Sequence, residues 1–322
     1  MTLPKAVLVI PLDEASMARL GEGCVPVVRA GVARDELKHE LADAEGILCP
    51  APFLIGPELL DAAPNLRVIS NYGVGYNNVD LDDLTRRGIV VCNTPGVLSA
   101  AVADLTMLMI LAAAKRFLPN ELHARNTWGK QPPPTLGFDL LGKTLGIVGL
   151  GRIGRVVAGR ARAFGMEPIF YDLFEDSGEA NVPYRPLNAL LAESDIVTLH
   201  TNLTDDSHHM ISTRELSLMK PTAWLVNTSR GPVVDEDALV TALNAGTIAG
   251  AALDVIEVEP PAAEAPILSA PNTILLPHIG TATVETRAAM LDLCLRNLLA
   301  VLGRKAPPEC VNTAALERAL TR

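Results

Sequence analysis

Gly149, Gly151 and Gly154 close an apolar run, residues 144–149, in the spacing GxGxxG, and Asp172 ends the next apolar run about twenty residues on. That arrangement suits a dinucleotide. Gly149 permits a tight turn, Gly151 lets backbone come close to a pyrophosphate, and Gly154 lets the following helix lie against its strand. The helix opening at Arg152 and Ile153 offers free N–H groups and the positive end of its dipole to an anion. Asp172 can accept ribose hydroxyl protons but would repel a 2′-phosphate, and Glu175 and Asp176 stand nearby. The spacing therefore predicts NAD in preference to NADP.

Three later stretches carry groups able to do chemistry at the ends of apolar runs. Residues 225–231 read LVNTSRG and place Arg230 just after a strand; residues 254–260 read DVIEVEP and hold Asp254, Glu257 and Glu259. Residues 276–280, LPHIG, set His278 between a proline and a glycine where a buried strand should stop. A histidine beside an apolar strand is usually an ordinary core or surface residue. Here, however, ligands of open α/β sheets sit outside the carboxyl ends of the strands, so all three stretches would face the crevice that receives the nicotinamide. His200 also ends a strand on that side. His208 and His209 suggest zinc at first sight. Side chains of adjacent residues diverge and no further ligand pattern follows, so the pair reads as a solvated turn with no metal.

The elements that must position these residues follow from alternating Val/Ile/Leu runs and helical patterns. Strands are expected at residues 5–12, 25–29, 46–49, 66–70 and 89–92, then at 144–149, 168–171, 196–200, 223–227, 250–254 and 273–276. Continuous apolar strands without in/out alternation belong to parallel sheets covered on both faces. The fold class is therefore α/β, with two Rossmann/flavodoxin-like doubly wound parallel-sheet domains and a hinge between them. One domain is expected over 1–98, completed by 290–322, and the other over 99–289. A single long helix is expected from residue 100 to about 125, then a loop at Gln131-Pro132-Pro133-Pro134. Residues 105–114 are apolar nearly all round, which suggests burial by a second copy of the chain. A last helix over 284–302 carries Leu291, Leu295, Leu298 and Leu302 on one face, with Gly303 as its cap.

Bulk properties exclude other classes. With 322 residues there is room for two real cores. A net charge of −10 argues against a nucleic-acid or anionic-membrane partner. Five scattered cysteines without a CxxC pair suit reduced thiols in a cytoplasmic protein. No apolar stretch reaches the length that a bilayer demands.

Several long stretches, in order, resemble the D-isomer-specific 2-hydroxyacid dehydrogenases: residues 71–80 (NYGVGYNNVD), 91–104 (VCNTPGVLSAAVAD), 142–154, 226–239 (VNTSRGPVVDEDAL), 252–260 and 276–283. The likeness covers almost the whole chain and is nearest to the glyoxylate/hydroxypyruvate reductases. It implies a substrate-binding domain and an NAD-binding domain. It also implies an enzyme that reduces a small 2-oxo acid with NADH. In that resemblance Arg230 grips the substrate carboxylate and carbonyl, for which a planar fork is apt. His278 passes a proton to the carbonyl oxygen. Glu259 orients the imidazole and favours its charged form. Backbone N–H groups of Val74 and Gly75 cradle the carboxylate, and Asp254 meets the nicotinamide carboxamide. Thr228, Ser229, His200, His278 and Gly280 line the cofactor crevice, and a homodimer is implied.

Phosphoglycerate dehydrogenases of this family typically place an arginine where Asn71 stands, and formate dehydrogenases a glutamine where Glu259 stands, which favours a small unphosphorylated 2-oxo acid. The competing expectations are a phosphoglycerate dehydrogenase-like or 2-ketogluconate reductase activity, or a non-enzymatic NADH-sensing scaffold like the C-terminal binding protein corepressors.

Overall fold

The computed structural model describes residues 2–129, 133–176, 178 and 181–321. The chain divides into two units, Met1–Leu98 with Thr283–Arg322, and Ser99–Ala282. The first unit runs β1 (Lys5–Leu8), α1 (Glu14–Gly21), β2 (Val25–Val28), α2 (Arg34–Leu41), β3 (Ala44–Pro50), α3 (Pro57–Asp61), β4 (Val68–Tyr72), α4 (Leu81–Arg87) and β5 (Val90–Cys92). The second runs α5 (Ser99–Ala114), α6 (Phe117–Thr127), β6 (Thr144–Val148), α7 (Arg152–Ala163), β7 (Glu167–Tyr171), α8 (Leu187–Glu193), β8 (Ile196–Leu199), α9 (Thr213–Leu218), β9 (Trp224–Asn227), α10 (Glu236–Ala245), β10 (Gly250–Leu253) and β11 (Thr273–Leu275). The chain then returns to the first unit as α11 (Val284–Leu302) and α12 (Leu316–Thr321).

Both sheets are parallel, in the orders β2-β1-β3-β4-β5 and β11-β10-β9-β8-β6-β7. Each is a doubly wound order with a switch point beside its first strand. The apolar runs explain the double cover. In the second unit Leu145, Ile147, Phe170, Trp224, Val226 and Ala252 pack on one face with α5 and α7. Their strand neighbours Val148, Ile169, Val197, Leu225, Ala251 and Leu253 pack on the other with α8, α9 and α10. Successive residues of a strand point to opposite faces, so only a strand apolar at every position can serve two helical layers. In the first unit Cys294, Leu295, Leu298, Val301 and Leu302 of α11 cover one face of the sheet.

Three expectations are adjusted. The helix expected from 100 to 125 is broken: α5 ends at Ala114, and Arg116 adopts a left-handed φ of 51° before α6 begins. The second crossing lies at Thr283, whose hydroxyl accepts the Thr286 N–H at 3.2 Å and caps α11; a boundary at 290 would cut one continuous helix. The first strand stops at Leu8 instead of residue 12. Of the proline loop, residues 131 and 132 lie outside the described residues, and Pro133 and Pro134 join neither helix nor strand. All five cysteines are free thiols, four of them buried. Among the described residues no helix is long and apolar enough to cross a membrane.

Candidate functional site

The second unit gathers the expected chemistry along the carboxyl edge of its sheet. At the end of β6, Gly149 adopts φ +93°, open to glycine but strained for other residues. A side chain there would collide with the backbone of His200 and Thr201, where β8 ends. Gly154, in the first turn of α7, lies so close to the strand that a Cβ would stand 2.2 Å from the Gly149 carbonyl oxygen. Gly151, the cap of α7, contrasts with both: among the described residues other than its chain neighbours, no atom lies within 4 Å of where its Cβ would be. Packing therefore does not require glycine at 151, but a ligand approaching the backbone would. The exposed Arg152 and half-buried Ile153 follow at the opening of α7. Asp172 Oδ2 accepts the Leu150 N–H at 2.7 Å, which fixes its carboxylate beside the glycine turn. These features fit a dinucleotide: an open helix N-terminus for the phosphates and an oriented acid for the ribose.

The other half of the edge comes from β9, β10 and β11, which lie side by side. His278 follows β11 and takes a left-handed φ of 53°. Its own N–H donates to the Asp254 carbonyl at 2.9 Å, and the next two N–H groups, of Ile279 and Gly280, donate to the Asp254 carboxylate at 2.7 and 2.8 Å. Asp254 thus grips the turn that presents the histidine. Burial pushes its carboxyl up, while those two donors and His278 pull the other way.

His278 Nδ1 lies 2.7 Å from Glu259 Oε2, and Glu259 Oε1 accepts the Ile256 N–H at 3.2 Å. Burial raises the Glu259 carboxyl, but the His278 hydrogen bond and charge, the Ile256 N–H and Arg230 outweigh it and hold it below the usual glutamate range. Arg230 is half-buried; burial is the larger influence and lowers its pKa, with Glu259 opposing. Guanidinium, carboxylate and imidazole therefore form one electrostatic group. Thr228 and Ser229 are buried just before the arginine, and Thr228 Oγ1 lies 3.1 Å from Thr106 Oγ1 of α5.

Two residues that organise this edge carry no signal beyond their position in a strand–loop motif. Asn227, buried at the end of β9, accepts the N–H and hydroxyl of Ser229 and donates to the Arg230 carbonyl at 2.9 Å. Gly231 lets the arginine loop press against the 254–260 segment, since a Cβ would fall 1.8 Å from the Ile256 carbonyl oxygen. An asparagine closing an apolar strand is the pattern that could have marked the first.

His200 sits at the end of β8 with Nε2 3.0 Å from Thr198 Oγ1, while Nδ1 is buried without a hydrogen-bond partner among the described residues. Burial pushes its pKa down to about 3, so it is a neutral imidazole near pH 7. Val74 and Gly75 belong to the first unit, in the loop after β4. Asn93 holds the Val74 carbonyl at 2.8 Å and Asn71 the Gly75 carbonyl at 2.6 Å, so two buried asparagines set that loop.

Residues 107–280 match the family model described as the D-isomer specific 2-hydroxyacid dehydrogenase, NAD binding domain. A glyoxylate reductase from Thermofilum pendens is 42% identical over 328 residues, spanning 98% of this chain and 97% of the relative. Among solved structures, D-lactate dehydrogenase from Aquifex aeolicus, complexed with NAD and lactic acid, superposes with a TM-score of 0.88 at 31% identity, covering 96% of this chain and 99% of its own. The NADPH-dependent glyoxylate/hydroxypyruvate reductase from Sinorhizobium meliloti, in complex with NADP and malonate, gives 0.87 at 34% identity with 98% of each chain covered.

Proposed function

Because the chain belongs to the D-isomer specific 2-hydroxyacid dehydrogenases and carries their NAD-binding domain, we propose that it reduces a small 2-oxo acid, glyoxylate or hydroxypyruvate, with NADH. The observation that carries this reading is the His278–Glu259 hydrogen bond of 2.7 Å, on the sheet edge that also holds Arg230 and the glycine turn. Glyoxylate reductases among the relatives at 42–47% identity support the substrate class.

When bound, the nicotinamide supplies the hydride and takes it back. The protein moves the proton. An ionised Glu259 accepts from Nδ1–H of His278 and fixes the tautomer, which leaves Nε2 as the nitrogen for proton exchange. His278 gives that proton to the carbonyl oxygen of the 2-oxo acid and recovers it when the 2-hydroxy acid is oxidised. Arg230, half-buried, pairs with the substrate carboxylate through its planar fork. In this reading the first unit is the substrate-binding domain, with Val74 and Gly75 as its N–H donors. Asp172 sets the preference for NADH by repelling a 2′-phosphate. Gly149, Gly151, Arg152, Ile153, Gly154, Asp254, Thr228, Ser229, His200 and Gly280 make the rest of the cofactor crevice.

A homodimer is part of the same proposal. Leu108 of α5, Phe117 and Leu122 of α6, and Trp128 expose 58, 57, 57 and 81% of their surface, an apolar display that a second copy would cover. Five free thiols suit a reducing, cytoplasmic setting.

The test is NADH oxidation with glyoxylate, hydroxypyruvate, pyruvate, phenylpyruvate and 2-ketogluconate, in the wild type and in His278→Asn. Glyoxylate or hydroxypyruvate should show the highest kcat/KM. The variant should lose about 10²- to 10⁴-fold in kcat, the range for general acid–base groups, while NADH binding is kept. No turnover with any acid, or an unchanged kcat in the variant, refutes the proposal.

A further inference from the structure

We propose that His208, His209 and Glu257 form a binding site for a divalent transition-metal ion of the Zn²⁺ type, separate from the dehydrogenase residues. Neighbouring side chains ordinarily diverge, yet these two imidazoles stack, with centroids 4.0 Å apart and planes at 25°. The turn explains it. Buried Ser207 locks the 204–207 loop through its hydroxyl, which donates to the Asn202 carbonyl at 2.6 Å and accepts the Thr204 N–H at 2.8 Å. His208 N–H closes the turn on Thr204 O, and His209 takes a left-handed φ of 50° with its N–H on Pro232 O. That conformation is costly for a histidine and swings its ring alongside its neighbour's.

Glu257 reaches the pair from a segment remote in sequence. Its Oε1 lies 2.9 Å from His209 Nε2, and one ligand atom from each of the three residues falls within 4.8 Å of the others. The carboxylate is itself anchored at the start of α10: Glu257 N–H donates to Glu236 Oε2 at 3.0 Å and Glu236 N–H donates back to Glu257 Oε2 at 3.4 Å. Two imidazoles and a carboxylate make a three-ligand zinc set with a fourth position for water. Ligand atoms about 2.1 Å from a tetrahedral ion stand about 3.4 Å apart, so metal binding requires the two stacked rings to unstack and turn their in-plane nitrogens toward one ion beside Glu257. Nitrogen ligands favour Cu²⁺, Zn²⁺, Ni²⁺ and Co²⁺ over Mg²⁺ and Ca²⁺, which want oxygen.

The test uses the full-length, chelator-treated protein without substrate or NADH, so it does not depend on the catalytic assignment. Calorimetric titration with ZnCl₂ should show one ion per chain with Kd on the order of micromolar and a zinc-dependent rise in Tm. Mg²⁺ should give neither. His208→Ala, Glu257→Gln and His209→Asn, the last because asparagine tolerates the left-handed backbone, should each weaken binding at least about tenfold. Their unfolding midpoints without metal report whether they fold. On the wild type alone, Co²⁺ should give the intense visible bands of a four-coordinate site. Absence of stoichiometric zinc binding, a six-coordinate cobalt spectrum, or undiminished affinity in folded variants overturns the proposal, leaving His209–Glu257 as a hydrogen-bonded pair only.

Discussion

Gly151→Ala and Gly154→Ala separate what a ligand requires from what packing requires within three residues of one motif. At Gly154 a methyl would stand 2.2 Å from the Gly149 carbonyl oxygen and 3.2 Å from Ile147 Cγ2, where ordinary contact begins at 3.4 Å. The carbonyl cannot easily turn aside, because the N–H of the same peptide, that of Leu150, is tied to Asp172 Oδ2 at 2.7 Å and the turn itself holds φ at +93°. Helix α7 must therefore retreat from β6, and overpacking of that kind costs about 3 kcal/mol or more. At about 2–4 °C per kcal/mol for a unit of this size, Tm falls by roughly 6–12 °C. Gly151 has φ −72° and open space around its Cβ position. Alanine there trades a poorer helix cap against a less flexible unfolded chain, so stability changes by about 0.5 kcal/mol or less. Its methyl would instead hold a pyrophosphate off the N–H groups of α7. Losing one charge-assisted hydrogen bond, about 1.5–3 kcal/mol, weakens binding roughly 10- to 150-fold. Urea and thermal unfolding of the apoprotein, with fluorescence titration of NADH, read both quantities. A Gly151→Ala protein that binds NADH as the wild type does, or a Gly154→Ala protein of unchanged Tm, refutes the reasoning.

Asn227→Ala should lower kcat/KM about 10- to 100-fold and cost about 1–3 kcal/mol in urea unfolding, because the buried Ser229 and Arg230 backbone groups lose their partner; activity within twofold of wild type would show that the arginine loop holds itself. Asp172→Ala should narrow the NADH over NADPH preference by about tenfold, roughly 1.4 kcal/mol, in kcat/KM measurements with both cofactors; an unaltered ratio removes Asp172 from that role. His200 has a folded-state pKa near 3 against 6.5 unfolded. Its depressed value means that the unfolded chain alone takes the proton below pH 6.5, so stability is whole above that pH and falls as pH drops. At about 1.4 kcal/mol per pH unit, the apoprotein at pH 5 should lose about 2 kcal/mol that His200→Asn retains. Equal pH dependence of the two proteins in urea unfolding would count against a buried neutral histidine.

The two parallel sheets and the cofactor turn were legible from residue types alone, because both are written in local terms. A strand apolar at every position can only lie between two helical layers, as Leu145–Val148 and Leu225–Val226 do. A GxGxxG between strand and helix has little else to do. The sequence also placed Arg230, Glu259 and His278 at strand ends. Their convergence belongs to tertiary structure: the order β11-β10-β9 puts residues 230, 259 and 278 on neighbouring strand ends although up to 48 positions separate them in the chain. Backbone conformation was equally out of reach. The left-handed turns at Arg116, His209 and His278 split one expected helix, stacked two histidines expected to diverge, and bent the chain so that Asp254 could grip both N–H groups after the histidine. Left-handed φ at a non-glycine residue is paid for by contacts from distant segments, here Pro232, Glu257 and Asp254, and no local pattern of residue types records those.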